Sequence, residues 1–187
     1  LFQDLVSEYR DPTVPYDCII PVSGGKDSYW QIHKAKEYGL RPLLVTYNGN
    51  NYSETGLQNL QNMREVFGCD HIFITPAIST IKTLNRLAMK LMGDMNWHGH
   101  AGIFTAPTRV AVEKRLPLML WAEHGFMDLG GMHSYKDFVE FTFRYRHEHC
   151  LRGFEWYDLL EFAEAEGEPI NSEALHLWKY PCDSEIR

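Results

Sequence analysis

Ser23-Gly24-Gly25-Lys26-Asp27-Ser28 is the stretch on which the reading of this chain turns. It follows an apolar run, Cys18-Ile19-Ile20-Pro21-Val22, and precedes a helical pattern that stops at Gly39. A strand, a tight glycine turn and a helix start, in that order, make a phosphate cradle. Two glycines let backbone N–H groups approach an anion closely, and the helix N-terminus adds partial positive charge. Lys26 supplies a cation for phosphate oxygens, and Asp27 a hard oxygen ligand of the kind Mg²⁺ takes.

Outward from the loop, the pattern alternates. Residues 1–9 read as the end of a helix or a linker, closed off by Pro12 and Pro15. The run 18–22 is apolar without alternation, as a strand buried on both faces is. A helix over 27–38, with Ile32 and Ala35 inward, leads to a second strand over 43–47. Ser53 is placed to cap a helix carrying Leu57, Leu60, Arg64 and Phe67 that stops at Gly68. A third strand over 71–75 ends at Pro76, and a third helix carries Ile81, Leu84, Ala88 and Leu91 up to Gly93. Such alternation predicts an α/β fold, an open parallel sheet with helices on both faces.

Residues 93–102 read as a loop. A helix over 106–115 follows, with Thr105 as its cap and Pro107 in its first turn, and then a fourth strand over 118–121. Beyond a loop at 125–131, helical stretches over 135–150, 155–166 and 171–180 form a helical C-terminal extension. A fifth strand is not evident. The expected organisation is 1–15 as a lead-in, 16–125 as the nucleotide domain and 126–187 as an extension packed on it.

Composition bounds the rest. A formal charge of −7 over 187 residues argues against a large nucleic-acid footprint. No apolar run approaches the ~20 residues of a membrane span, and no signal-peptide pattern opens the chain. Cys18, Cys69, Cys150 and Cys182 are scattered without a CxxC pair, which fits a reducing cytoplasm better than a zinc ribbon or a disulfide framework. Leu1 is not an initiator Met and the end is abrupt, so the chain is expected to come from a longer protein.

The loop lacks the Walker spacing, in which a glycine and four spacers precede Gly-Lys-Ser/Thr. It resembles instead the PP-loop, Ser-Gly-Gly-x-Asp-Ser, of the N-type ATP pyrophosphatases, which split ATP between its α and β phosphates. That resemblance implies a Rossmann-like sheet of the adenine nucleotide alpha hydrolase type, with Ser23, Gly24, Gly25, Lys26, Asp27 and Ser28 on the nucleotide.

Ligands of open parallel sheets bind outside the strands' carboxyl ends. After strand two come Thr46, Tyr47 and Asn48, a position that in the resembled superfamily meets the adenosine; plain strand-end and turn chemistry is the other reading. On the 93–102 loop, His98 and His100 are candidates for holding substrate, for acid–base work or for structure. Zinc would need more ligands than these two. After strand four, Glu123 is placed to hold Mg²⁺ or the incoming amine, with His124 beside it. Arg109 is either a phosphate contact or an ordinary surface arginine, and the basic residues around the aromatic stripe of 135–150 read first as a solvated face.

A closer likeness rests on several segments together. They are Val45-Thr46-Tyr47-Asn48, Trp97-His98-Gly99-His100-Ala101-Gly102-Ile103, Trp121-Ala122-Glu123-His124-Gly125, Asp128-Leu129-Gly130-Gly131-Met132 and Arg152-Gly153-Phe154-Glu155-Trp156-Tyr157-Asp158. With the PP-loop they resemble the N-acetyl sugar amidotransferases of bacterial surface-polysaccharide and nonulosonic-acid pathways, over about residues 16–181. Family members typically carry an N-terminal Cys-rich zinc segment, absent here, and many have Cys where this chain has Gly99.

The resemblance implies ATP and Mg²⁺ as cofactors and an adenylated acetamido oxygen whose AMP is displaced by ammonia. Lys26, Asp27 and Glu123 would be catalytic, Asp27 and Glu123 would face the metal, and His98, His100, Arg109 and His124 would meet the sugar or its nucleotide. Ammonia would come from a partner glutaminase. Two rivals stand beside this reading. One is a PP-loop enzyme that modifies tRNA through an adenylated base, and the other is a nucleotide-binding subunit without catalysis.

Overall fold

The computed structural model describes residues 2–49, 51–122, 143, 145–182 and 184–186. After a short helix, α1 (Phe2–Tyr9), come three parallel strands, β1 (Cys18–Pro21), β2 (Pro42–Tyr47) and β3 (His71–Ile74), side by side in that order. Helix α2 (Lys26–Glu37) connects β1 to β2, and α3 (Glu54–Phe67) connects β2 to β3. The boundaries follow the punctuation of the sequence. Ser53 accepts the Gly56 N–H at 3.1 Å and caps α3, while Gly68 closes it with φ 60°, where glycine has no Cβ to clash.

Residues 118–120, expected as a fourth strand, lie along the other side of β1 and make one parallel bridge, Ile19 to Met119. Ile19 donates to the Leu118 carbonyl at 2.9 Å, and Leu120 donates to the Ile19 carbonyl at 3.0 Å. β1 therefore has a neighbour on each side. The chain moves outward from β1 to β3 and returns to the opposite flank, so strand order reverses at β1. Among the described residues no fifth strand follows.

Alternate residues of a strand face opposite ways, and the core is divided accordingly. Ile20, Val22 and Leu44 cluster with Ile32 and Ala35 of α2, Leu60 and Met63 of α3 and Val6 of α1. Ile19, Leu43 and Val45 cluster on the other face with Val110 and Ala111, which belong to a later helix. Helices on both faces of a parallel sheet are what the alternating sequence predicted.

That later helix departs from expectation. After α4 (Ile78–Met92), α5 runs as one 18-residue helix, Trp97–Lys114, with Pro107 inside it. The stretch 93–102 is thus not a loop throughout, and Thr105 is not a cap. Asn96 starts the helix, its carbonyl accepting Gly99 and His100 N–H groups at 2.9 and 3.1 Å. Trp97 is buried, and its indole N–H donates to the Phe154 carbonyl at 2.9 Å. Anchoring an indole offsets the poor helix propensity of Gly99 and Gly102, about 1 kcal/mol each. Pro107 forgoes one helical hydrogen bond, and the next side chain, Thr108, donates to the Phe104 carbonyl at 2.8 Å.

The chain separates into two compact units: Leu1–Thr75, Ile103–Ala122 and Tyr180–Arg187 in the first, Pro76–Gly102 and Glu123–Lys179 in the second. In the second, α4 packs against α6 (Trp156–Ala165), with Lys90 and Glu166 paired at 2.7 Å and Arg86 paired with Glu168. Glu155 and Asp158 cap α6 reciprocally, and Asn171 caps a 3-10 turn, Ser172–Trp178. The helix expected over 135–150 lies mostly outside the described residues; its described end, Tyr145–Cys150, is π-helical.

The strand starts of the first unit are pinned by a buried charge. Asp17 has no exposed side-chain surface and accepts from the Arg41 N–H, Nε and Nη2 at 2.8, 3.0 and 2.7 Å. Burial alone would raise its pKa, but the donors from Arg41 outweigh burial and hold it below the usual range. Asp17→Ala is expected to cost about 2–3 kcal/mol, because the Arg41 guanidinium and the Arg41 and Asp11 backbone N–H groups lose their acceptor. Urea unfolding measures this, and an unchanged midpoint would refute it.

Candidate functional site

The loop after β1 stands where strand order reverses, the place at which open parallel sheets bind ligands. Its two glycines serve different needs. Gly24 has φ 85°, and a Cβ there would meet Leu60 Cγ at 3.1 Å and the Gly56 carbonyl oxygen at 3.2 Å. The loop is pressed against α3, so glycine at this position is required by the fold. Gly25 has an ordinary φ of −79°, and a Cβ there would meet nothing nearer than Ser23 Oγ at 3.6 Å. Packing does not demand glycine at Gly25. A ligand lying against the backbone would.

Gly25 is also the N-cap of α2, and it provides no side-chain cap hydrogen bond. The first-turn N–H groups are therefore not satisfied by a side-chain cap and keep the donor character that suits an anion. Ser28 is buried, and its Oγ accepts the Ser23 N–H at 3.2 Å, closing the loop on itself. Lys26 and Asp27 stand in solvent and pair with each other, Nζ lying 2.8 Å from both carboxylate oxygens. The residues of this loop fit a phosphate chain: backbone donors, one cation and one carboxylate within a single turn.

The end of β2 is arranged for the protein's own contacts. Thr46 is 1% exposed; its hydroxyl donates to the Val22 carbonyl at 2.7 Å and lies 2.8 Å from His71 Nε2. Tyr47 is buried with its ring over Gly49, where a Cβ would fall 2.3 Å from the ring. Asn48 donates from its amide to Thr75 Oγ1 at 3.1 Å. These contacts are of the strand-end kind, one of the two readings the sequence leaves open.

The two histidines sit in the first turns of α5 rather than on a loop, and their surroundings differ. His98 is 4% exposed, its carbonyl accepts the Trp178 indole N–H at 2.9 Å, and burial followed by the charge of His100 holds its pKa below the usual value. His100 is half-exposed, with Nε2 3.9 Å from Asp94 Oδ2, and Arg152 Nε lies 3.0 Å from that same oxygen. His100 is thus the one of the pair with a face to offer. A Cβ at Gly99 would lie 2.6 Å from Asn96 Oδ1, so the glycine there leaves room for the helix-starting asparagine. Both histidines belong to the second unit, whereas Arg109 lies in the first, well inside α5, with the Glu185 carboxylate in electrostatic reach. Glu123 and His124 lie outside the described residues.

Sequence reasoning passed over His71, which it used only to bound a strand. Parallel register sets His71 opposite Leu44, two residues before Thr46 on the same face of β2. That juxtaposition depends on strand register, and no local motif announces it. Among the described residues no cluster of three or more His, Cys, Asp or Glu is arranged for a metal. An Mg²⁺ that rides on phosphates needs only one or two protein carboxylates, and Asp27 is suitably placed beside the loop.

Two expectations follow. Gly25→Ala should leave stability within about 0.5 kcal/mol of the wild type, whereas Gly24→Ala should lose about 1–3 kcal/mol through left-handed strain and contact with α3. Equal losses in urea unfolding would show that the two glycines are not distinguished by packing. The second concerns pH. Burial, with Arg64 nearby, pushes His71 from 6.5 down to about 4. The unfolded chain therefore binds this proton first, and the stabilisation from a neutral His71 is complete above about pH 6.5 and lost as pH falls towards 4, up to about 3 kcal/mol. Wild type minus His71→Leu stability, measured from pH 7 to pH 4.5, should shrink; a constant difference would overturn the assignment.

No protein-family model matches this chain, and no curated protein does. Among solved structures, the chain is similar to a predicted subunit of tRNA methyltransferase from Methanocaldococcus jannaschii, at 18% identity and a TM-score of 0.44, over 79% of this chain and 75% of that one. A likeness this loose carries no argument about activity. No described helix is long and apolar enough to cross a membrane.

Proposed function

We propose that this chain is a PP-loop amidotransferase with an adenine nucleotide alpha hydrolase-like sheet, one that makes AMP and pyrophosphate from ATP while converting the acetamido group of an N-acetyl sugar to an acetamidino group. The observation that carries the proposal is the loop itself. Ser23-Gly24-Gly25-Lys26-Asp27-Ser28 stands at the reversal of strand order, ahead of a helix without a side-chain N-cap, with an open glycine where packing asks for none. Walker spacing is lacking, which favours cleavage at the α-phosphorus over transfer of the γ-phosphoryl group.

The chemistry balances in two steps. The amide oxygen attacks the α-phosphorus, the amide N–H proton is lost, and pyrophosphate leaves, giving an O-adenylated imidate. Ammonia adds to its carbon, AMP departs with the C–O bond, and the amidine remains. Lys26 would hold β- and γ-phosphate oxygens, and the first-turn amides of α2 would hold the α-phosphate in line. Asp27 would face an Mg²⁺ riding on the phosphates, whose chemistry is to neutralise charge on the departing pyrophosphate. Arg109, on the same unit as the loop, would meet the sugar or its nucleotide carrier. A cytoplasmic setting and ammonia from a glutaminase partner belong to the same proposal.

The second reading, a PP-loop enzyme adenylating a tRNA base, shares the first step. The name of the archaeal neighbour is compatible with it, and the charge of −7 is against it. Thiolation fits less well than amidation. Cys18 and Cys150 are buried with thiols pushed up to about 12, and Cys69 is also raised by burial, which leaves Cys182 as the one exposed thiol for sulfur chemistry carried by thiolates.

ATP, MgCl₂, ammonium and a panel of UDP-N-acetyl sugars should yield AMP, pyrophosphate and a sugar product lighter by about one mass unit, as O gives way to NH. ADP and phosphate would sink the mechanism. AMP formation that needs tRNA and ignores every sugar would select the second reading. Asp27→Ala should remove turnover, lowering it at least about 100-fold while leaving the urea midpoint near wild type; near-normal activity would take Asp27 out of the site.

A further inference from the structure

The last residue before the loop, Val22, is held at both of its backbone polar groups. Its N–H donates to the Val45 carbonyl at 2.9 Å, and its carbonyl accepts the Thr46 hydroxyl at 2.7 Å. Behind Thr46 stands His71, with Nε2 at 2.8 Å. The direction of this chain follows from valence. A carbonyl only accepts, so the hydroxyl proton goes to Val22, and the hydroxyl must accept from the imidazole. For both bonds to form at once, His71 must carry its proton on Nε2. Nδ1 has no partner at hydrogen-bond geometry, the half-buried ring lies 4.1 Å from that of Phe73, and burial, with Arg64 nearby and outweighing the Leu60 carbonyl, keeps the imidazole neutral at neutral pH.

We infer that His71 and Thr46 are positioning residues for the loop: the relay His71 Nε2–H to Thr46 Oγ, Thr46 O–H to Val22 carbonyl, sets the direction in which the chain leaves β1 and so aims the N–H groups of residues 24–28 at their ligand. The tie is made at the point where the chain leaves the sheet. Ser23 follows it immediately, and the N–H of Ser23 is the one that Ser28 Oγ accepts. A displaced Val22 carbonyl therefore reaches the first turn of α2 through a single intervening residue. Thr46, at 1% exposed, has no side-chain surface to offer a ligand, and His71 acts through it. The nucleotide readout below rests on the PP-loop reading; the backbone readouts do not.

The test uses Thr46→Val, which keeps the shape and removes the hydroxyl, and His71→Leu, with Thr46→Ser and His71→Gln as variants that retain the donor chemistry. Affinity for α,β-methylene-ATP with Mg²⁺, which is not cleaved at the α position, is measured by calorimetry beside urea stability. Thr46→Val and His71→Leu should each weaken binding about tenfold or more, the double variant should be no worse than the weaker single, and the conservative variants should bind within about threefold of wild type. Folded Thr46→Val that binds like wild type, or losses that add in the double variant, would overturn the relay. If wild type itself fails to bind the analogue, the nucleotide reading falls instead, and the amide resonances of residues 23–28 still decide the positioning: they shift in both variants or the inference fails. Should the variants not fold, the ¹⁵N shifts of His71 in the wild-type chain serve alone, since an Nδ1–H tautomer at pH 7 contradicts the relay.

Discussion

β1 is four residues long and is bonded on both edges, to β2 on one side and to residues 118–120 on the other. Two-sided pairing is the constraint on which the rest of the structure depends. A strand in that position must be apolar on both faces, which fixes where α2, α3 and α5 bury their side chains. It must also be the point at which the chain stops adding strands in one direction and starts in the other. The crevice that such a reversal leaves open lies at the carboxyl end of β1, and residues 23–28 occupy it. Pro21 is tolerated because it is the last residue of the strand, where the ladder is already ending.

Much of this was legible from the residues. Continuous apolar runs between glycine and proline punctuation gave the strand and helix alternation to within a residue or two. Ser53, Gly68 and Gly93 act as local signals and need no tertiary help. The start of α5 was not legible, because Gly99 and Gly102 look like loop glycines and Pro107 looks like a first-turn proline. What overrides them is the burial of Trp97 and the bond from its indole to Phe154, a contact between residues 57 apart in sequence. Local propensity carries no record of such a contact.

The candidate site divides along the same line. Loop residues 23–28 form a contiguous motif, so the groups they bring together can be read from one stretch of sequence. Thr46, Tyr47 and Asn48 were correctly located at a strand's carboxyl end, but what their side chains do depends on which residues of β1 and β3 lie beside them. Register decides that, and a single sequence does not print register. His98 and His100 show the same lesson on a helix: two positions apart, they point to different environments, one interior and one open to solvent.

The Lys26–Asp27 pair has a consequence for selectivity. An exposed pair of this kind is worth only about 0–1 kcal/mol, so it is easily opened. A bare phosphate that captures the ammonium, however, strands a carboxylate next to itself, and like charges in one turn repel. A phosphate escorted by a divalent cation meets no such conflict, since oxygen goes to the lysine and metal to the aspartate. In the proposed reading the two adjacent residues would make the loop respond to a matched pair of charges and discourage either one arriving alone. Charge balance, in addition to shape, would then be part of what the turn recognises.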